Sequence, residues 1–587
     1  MPHEQPRDPW SPRPIDLPTP VLLDPGVPLE RLDGAKVFAA PDDPDDWPAW
    51  RELLRRWRDD ARERFAYDDT AYGLAEFEWT RSCFSVALVW LWDELLYDHD
   101  QVRFTPERFC AESEREFGGF DGIVLWHAYP VIGIDERNQF DYYRDVPGMR
   151  ELVDAFHARD VRVFVDYNPW DVGTRRETVD DDLALGKLMQ ELGADGVFLD
   201  TMKEARPGLR AAVDAVRPGL AFEGESTLPL ARVCDHHLSW AQWFSDSDVP
   251  GVLRARWFEQ RHMLHHTRRW NRDHLEELHS AWLNGVGVLV WENVFGAWVG
   301  WNERDKALLR AMLSIQRRYA ELLATGEWTP LAAASPDTRV VASRWTDGVT
   351  TLWALANRGA AYTGTIGELE VEIPVQGIAA FVGSEQVLVA GGGDASFPAR
   401  ETVRVPAPVV PVAAVPEGFA AVEPRPLTAV FRRRETGTYG EAPYVEEWKP
   451  LPPRLHDFVE VERPAPRGQF AISVRGSETG LDLAAARAYA ASVGARLPTE
   501  DEWQLAAEAG LLDLSGPSVW NWTESEHSDG RTRFAILKGG CDWRAEGSDW
   551  YVDGGPQEPS YSLKLLLLGG GLARSERIGF RLAVDLR

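Results

Sequence analysis

Cysteine is scarce in this chain: Cys83, Cys110, Cys234 and Cys541 are the only four in 587 residues. So wide a scatter supports neither a disulfide framework nor a four-cysteine metal site, and the expectation is a reduced, cytoplasmic protein. Positive charge is also short, with 63 lysines and arginines against 93 aspartates and glutamates, a net charge of −30. Such a surface repels nucleic acid and anionic membrane, and suits a soluble protein that handles neutral or cationic ligands. No apolar run approaches the length of a membrane span. The opening Met1-Pro2-His3-Glu4-Gln5-Pro6 is polar and broken by proline, unlike a secretory leader. No Gly-x-Gly-x-x-Gly turn follows an early strand, which argues against an open dinucleotide-binding sheet.

Tryptophan is abundant instead. The chain has 26, more than its 14 tyrosines and its 24 phenylalanines. An indole offers a flat apolar face and one donor, which suits stacking on the C–H face of a sugar, although many of these rings also serve to fill a large core. Apolar residues make up 44% and charged residues 27%, an ordinary globular mixture, and the length implies two to four domains.

Residues 1–35, rich in proline and charge, read as an extension over the surface. A strand–helix rhythm fills 36–327. Its strands are expected at Ser85–Trp92, Gly122–Trp126, Val161–Val165, Val197–Leu199, Leu220–Phe222, Leu238–Phe244, Met263–Thr267 and Val286–Val290. Eight strands alternating with helices predict an α/β fold, a (β/α)8 TIM barrel. Residues 328–404 alternate differently: Val340–Trp345, an Asp347-Gly348 turn and Thr350–Asn357 form a hairpin signature, the start of a small β-sandwich. The spaced prolines of 405–426 read as a linker, and 427–587 forms a third unit.

Two strands that stop abruptly at acid carry the functional signal: Gly196–Asp200, and Ala221 through Glu223 and Glu225 to Thr227. A helix-like stretch, Pro207–Val216, separates them, so the acids belong at one edge of a parallel sheet on neighbouring strands. Paired carboxylates there suit cleavage of a sugar bond. The candidates are Asp200 with either Glu225 or Glu223; the competing reading makes Asp200 a helix cap and Glu223 a salt-bridged barrel residue. Glu225, nearer the rim, is preferred. Asp166 either orients a hydroxyl or the nucleophile, or caps a helix. His127 and Tyr129 are candidate ligands for sugar hydroxyls, as is Glu292, and Trp170, Trp240, Trp243 and Trp291 are candidate stacking platforms. His236 and His237 lie beside Asp235 but lack a third ligand at metal spacing, so no metal and no cofactor is expected. The expected partner is a carbohydrate or glycoside, with neither nucleic acid nor membrane.

Four ordered motifs mark the last unit: Ala495-Arg-Leu-Pro-Thr-Glu-Asp-Glu-Trp503, Val519-Trp-Asn-Trp-Thr523, Leu537-Lys-Gly-Gly-Cys-Asp-Trp543 and Ile578-Gly-Phe-Arg-Leu-Ala583. In this order they resemble the formylglycine-generating enzyme family, the sulfatase-modifying factors. The resemblance implies a C-type-lectin-like α+β fold in which Trp503, Trp522, Trp543 and Arg581 are structural. Catalytic members bind copper through a cysteine pair after the third motif; here Cys541 takes that motif's serine position and no second cysteine follows. Sulfoxide-synthase relatives add an iron triad, but His262 and His266 are followed by Arg268 where that triad has glutamate. The module is therefore read as non-catalytic.

The barrel with its β-sandwich is similar to retaining glycoside hydrolases of the α-amylase-like clans. Those carry an aspartate nucleophile after strand 4 and a glutamate acid/base after strand 5, which implies these roles for Asp200 and Glu225. Phe198 stands where the amylase type has arginine two residues before the nucleophile. The function expected is hydrolysis of an O-glycosidic bond with retention. The alternatives are a non-catalytic carbohydrate-binding or scaffold protein, and an oxidase or non-haem iron enzyme acting through the C-terminal module.

Overall fold

The computed structural model describes residues 17–432 and 458–587, apart from 25, 128–133, 170–174, 243–245, 268–272, 295–296, 299, 399, 467 and 545–553. Eight parallel strands close into a barrel: β1 Ser85–Trp90, β2 Gly122–Trp126, β3 Arg162–Tyr167, β4 Gly196–Leu199, β5 Ala221–Gly224, β6 Leu238–Gln242, β7 Met263–Thr267 and β8 Gly287–Val290. Each pairs with the next in sequence, and β8 closes onto β1 through Val288–Ser85. Parallel strands covered on both faces read as unbroken apolar runs, and every residue of β1, β2, β4, β5, β7 and β8 is buried.

The crossovers follow from local signals. Helix α1 (Trp47–Arg64) precedes the barrel and buries Trp50, Leu54 and Trp57; the Trp257 indole donates to the Leu54 carbonyl at 2.8 Å and joins it to the segment entering β7. Helix α2 (Pro106–Phe117), after β1, starts with proline in its first turn and stops at Gly118, whose φ of 85° places it in the left-handed region that glycine adopts without strain. Helix α3 (Asp181–Leu192) follows β3 and is capped by the Asp180 carboxylate on the Asp182 amide. Helix α4 (Leu209–Val216) follows β4. Among the described residues, no helix is long and apolar enough to cross a membrane.

Beyond the barrel, β9 (Glu327–Ala334), β10 (Val340–Thr346) and β11 (Thr351–Asn357) form an antiparallel sheet with Ile378–Val382 and Glu385–Ala390. The Asp-Gly turn falls between β10 and β11 as predicted, with Gly348 at φ 87°. A second sheet, Tyr362–Ile366 with Leu369–Ile373, shares a core with it through Val340, Leu355, Ile366, Ile373 and Phe381. Two sheets over one core are the expected small sandwich.

The stretch 405–426, read from its prolines as a linker, is more structured than that. Pro411–Val412 pairs with Asp585–Leu586, and Phe419–Val422 with Phe470–Ser473. Proline is tolerated on such short edge strands because the missing N–H need not face a neighbour. The C-terminal unit is sheet-rich, with helices at Leu483–Ser492 and Glu500–Glu508. Thr499 and Glu502 make a capping box at the start of the second helix, and Arg496 bridges Glu502 and Asp585 at 2.7 and 2.6 Å. Trp503, Trp522 and Arg581 are buried, and Trp543 is half-buried.

Candidate active site

The turn after β4 brings two of the candidate acids together. Asp200 follows the last residue of β4, its backbone N–H donating to Tyr167 O on β3 at 3.0 Å. Thr201 then turns sharply, with φ at 59°; for a β-branched residue that conformation is strained and persists only where the surroundings impose it. Its amide is fixed by donating to the Glu225 carboxylate. In return, the Glu225 amide donates to Met202 O at 2.9 Å. Between the two glutamates Gly224 admits this turn: a Cβ there would lie 2.6 Å from the Lys203 carbonyl oxygen. Asp200 and Glu225 thus follow the carboxyl ends of two adjacent strands, whose turns are tied together through Thr201. Asp200 is 8% exposed and Glu225 half-buried. Helix α4 begins at Gly208 with no side-chain cap, so Asp200 is not its cap.

Asp166, at the end of β3, joins this group. It is buried, with one carboxylate oxygen 3.3 Å from His127 Nε2 at the end of β2. Burial first, and then the negative charge of Glu225, hold its carboxyl well above the usual aspartate range. The Asp166 amide donates to the Tyr143 hydroxyl at 2.8 Å, and that hydroxyl donates to Leu125 O, which fastens β3 to β2. Since α3 is capped by Asp180, Asp166 is not a helix cap either.

Glu223 lies one pleat deeper and belongs to a different network. It is fully buried, and its Oε1 is 2.6 Å from His265 Nδ1 on β7. His265 Nε2 in turn lies 2.7 Å from the Cys83 carbonyl, before β1. Although burial opposes charge on this imidazole, Glu223 and the Cys83 carbonyl raise its pKa above the ordinary value. The second Glu223 oxygen has no hydrogen-bond partner among the described residues. This is the salt-bridged barrel residue of the competing reading.

Above that pair the barrel is filled with aromatic rings. Phe198 stacks on Trp240 at 4.5 Å, and Trp291 meets Trp126 edge-on at 5.3 Å. With 1% and 5% of their surface exposed, Trp240 and Trp291 are packing residues; neither presents a free face to a sugar. Tyr129, Trp170 and Trp243 lie outside the described residues. His127 is buried against Tyr142 and Tyr143. Glu292 accepts from the Trp301 amide at 3.2 Å and lies 3.5 Å from Arg531 of the C-terminal unit. His236 pairs with Asp235 at 2.7 Å, and no group of three His, Cys, Asp or Glu side chains fit for a metal occurs among the described residues.

Sequence reading missed three participants, His265, Tyr143 and Arg531. The pair of histidines in an otherwise apolar strand, Met263–Thr267, was the one local signal for the first of them.

No protein-family model and no curated protein matches the chain. Solved structures with some similarity include a cyclic α-maltosyl-(1→6)-maltose hydrolase from Arthrobacter globiformis, at 10% identity over 51% of this chain and 98% of that one, with a TM-score of 0.37. An α-amylase from Geobacillus thermoleovorans is 11% identical over 52% and 97%, with a TM-score of 0.34. A Nostoc punctiforme debranching enzyme is 10% identical over 49% and 92%, with a TM-score of 0.33. Similarity this slight bears on neither substrate nor residue roles.

Proposed function

We propose that this protein is a retaining glycoside hydrolase, with Asp200 as nucleophile and Glu225 as acid/base. The observation that supports the reading is the bond from the Thr201 amide to the Glu225 carboxylate, which ties Glu225 to the residue after Asp200 at the strand ends. In such a pair the aspartate attacks the anomeric carbon to form a covalent glycosyl intermediate; the glutamate protonates the departing oxygen and then takes a proton from water. Asp166 serves the acid. Burial first, and then the negative charge of Glu225, hold the Asp166 carboxyl well above the usual aspartate range, which favours a neutral Asp166 beside the acid. The half-buried partner, Glu225, is the one that exchanges the proton with substrate. Glu223 is left out of the chemistry by its bond to His265.

The C-terminal unit, 427–587, is read as a sulfatase-modifying-factor-like module without catalysis of its own. Cys541 is buried, and burial pushes its thiol pKa up, the reverse of what copper ligation or nucleophilic attack needs. With no second cysteine after it, the residues present do not fit a copper site. The four cysteines are unpaired, as in a protein of the reducing cytoplasm.

The test is a pair of variants assayed on α- and β-linked aryl glycosides and on maltose. Asp200→Asn abolishes turnover with the fold intact. Glu225→Gln loses hydrolysis of sugar leaving groups by roughly 10²–10⁴-fold but keeps first-step release of an aryl group that departs without a proton, read as a burst before slow hydrolysis of the glycosyl-enzyme. Full activity of Asp200→Asn, or an inverted product anomer by NMR, overturns the assignment. Glycan binding without hydrolysis by the unmodified protein favours the carbohydrate-binding alternative.

A further inference from the structure

The C-terminal unit is seated on the same barrel rim that carries the acids. A hairpin joins β12 (Trp520–Ser528) to β13 (Arg533–Lys538), and its tip enters the corner between β8 and β1. There Arg531, with only 12% of its side chain exposed, places Nε 2.8 Å from Asp93 Oδ1 and Nη1 3.5 Å from Glu292 Oε2. Asp93, fully buried just after β1, is held on its other oxygen by Asn293 Nδ2 at 3.0 Å. The backbone joins too: the Glu94 amide donates to Arg531 O at 2.9 Å. A second contact lies beyond β2, where Arg137 Nη1 donates to Leu572 O at 2.6 Å. Gly569 and Gly570 press so closely on Tyr97 and Pro147 that an added Cβ would lie 2.1 and 2.9 Å from them.

These contacts all fall on the segments following β8, β1 and β2. In the closed ring, β4 and β5, which carry Asp200 and Glu225, stand opposite β8 and β1. The corner is charged as well as covered. Without Arg531, fully buried Asp93 would lose its cation and Glu292 would keep only the charge of Lys306 nearby, and a buried carboxylate left without its partner is costly. One guanidinium with donors in a rigid fork satisfies both.

We propose that the C-terminal unit is a fixed wall of the barrel mouth, seated by Arg531 as a specificity-determining residue, and that it restricts the substrate to short glycosides and chain ends. The inference rests on the glycosidase reading of Asp200 and Glu225. A long chain lying across the mouth has to leave it on both sides; with the β8–β1–β2 side occupied, it leaves on one only. Glu292, a sequence candidate for binding a hydroxyl, is on this account spent in holding the wall.

The test uses the full-length protein with Arg531→Glu, and Arg531→Ala should the charge reversal prevent folding. Amide hydrogen exchange reports the seat without substrate. Aryl glycosides of one and of five sugars, of the linkage that the unmodified protein cleaves, report the restriction. Expected are faster exchange at residues 94–97, by about tenfold or more, and a rise of about tenfold in the ratio of kcat/KM for the long over the short substrate. The ratio matters because partial unfolding lowers both values equally and leaves it unchanged. Arg531→Lys, which keeps the charge, gives a smaller rise. Unchanged exchange overturns the seat, and faster exchange with an unchanged ratio overturns the restriction. Internal cleavage of long chains by the unmodified protein overturns it too. No turnover on either substrate, with exchange behaving as expected, removes the glycosidase reading and the restriction with it while leaving the seat in place.

Discussion

Removing His265 separates the two glutamates by consequence rather than by position. Glu223 and His265 are both fully buried, 2.6 Å apart, and the imidazole is also fixed to the Cys83 carbonyl. His265→Ala leaves the Glu223 carboxylate alone in the barrel, and breaking a buried pair from one side costs about 3–5 kcal/mol. For a unit of this size about 2–4 °C accompanies each kcal/mol, so a fall on the order of 10 °C in the barrel's melting transition is expected. Glu223→Gln is milder: a neutral imidazole that keeps its Nε2–H on the Cys83 carbonyl presents Nδ1 as an acceptor, to which the glutamine NH2 donates, and the loss is nearer to one buried hydrogen bond, about 1–3 kcal/mol. Replacing both, as Glu223→Leu with His265→Phe, removes the stranded charge and costs less than His265→Ala alone. The coupling energy is the loss in the double variant less the sum of the losses in Glu223→Leu and His265→Phe alone.

The pair also predicts a pH dependence. The folded-state pKa of His265 is raised above 6.5, so its stabilising contribution is complete below pH 6.5 and is lost as pH rises through the folded value. Urea melts followed by tryptophan fluorescence between pH 5 and 9 should show that decline in the unmodified protein and a flatter profile in Glu223→Gln. Below its melting temperature, Glu223→Gln keeps its kcat. If instead it melts normally and loses kcat by about 10²–10⁴-fold, the loss proper to a missing acid/base, then Glu223 is the catalytic glutamate and the assignment of Glu225 is refuted.

Two other substitutions test the rim. Gly224→Ala forces the Lys203 carbonyl away from a new Cβ 2.6 Å distant; the turn carries Thr201 with it, and a misplacement of this kind is worth about 10²-fold in kcat/KM, so steady-state kinetics unchanged from the parent would contradict the proposed geometry. Asp166→Asn addresses the raised carboxyl. Because the folded pKa of Asp166 lies above 3.8, its contribution is full below that value and declines as pH rises through the folded pKa; the asparagine variant should lack the decline, as read from urea midpoints at a series of pH values.

The barrel was legible because its signal is local. A strand buried on both faces must be apolar throughout, and a strand ending at the carboxyl rim of the barrel meets its polar residues in sequence order. Even Met263–Thr267, interrupted by two histidines, has the predicted span. Asp166, Asp200 and Glu225 could be named for the same reason, each standing just past or at the end of its own apolar run. Tryptophan was ambiguous because composition does not distinguish a ring that fills a barrel from one that lines its mouth; Trp240 and Trp291 are of the first kind. The prolines of 405–426 misled because they report the missing N–H and not the neighbour: the strands that make 411–412 and 419–422 part of a sheet come from far along the chain.

What the sequence could not show is pairing at a distance. Glu223 and His265 are 42 residues apart, and Asp93 and Arg531 are 438 apart, so no window of sequence contains both members. Yet each pair decides what a neighbouring acid is free to do. His265 holds Glu223 in the barrel and leaves Glu225 at the rim; Arg531 holds Glu292 and Asp93 in a joint and leaves the β3–β5 side of the mouth as the acidic one. Phe198 fits the same division. Stacked on Trp240 among buried rings, it stands in register between Asp166 of β3 and Glu223 of β5 and puts an apolar ring between the rim network and the His265 network.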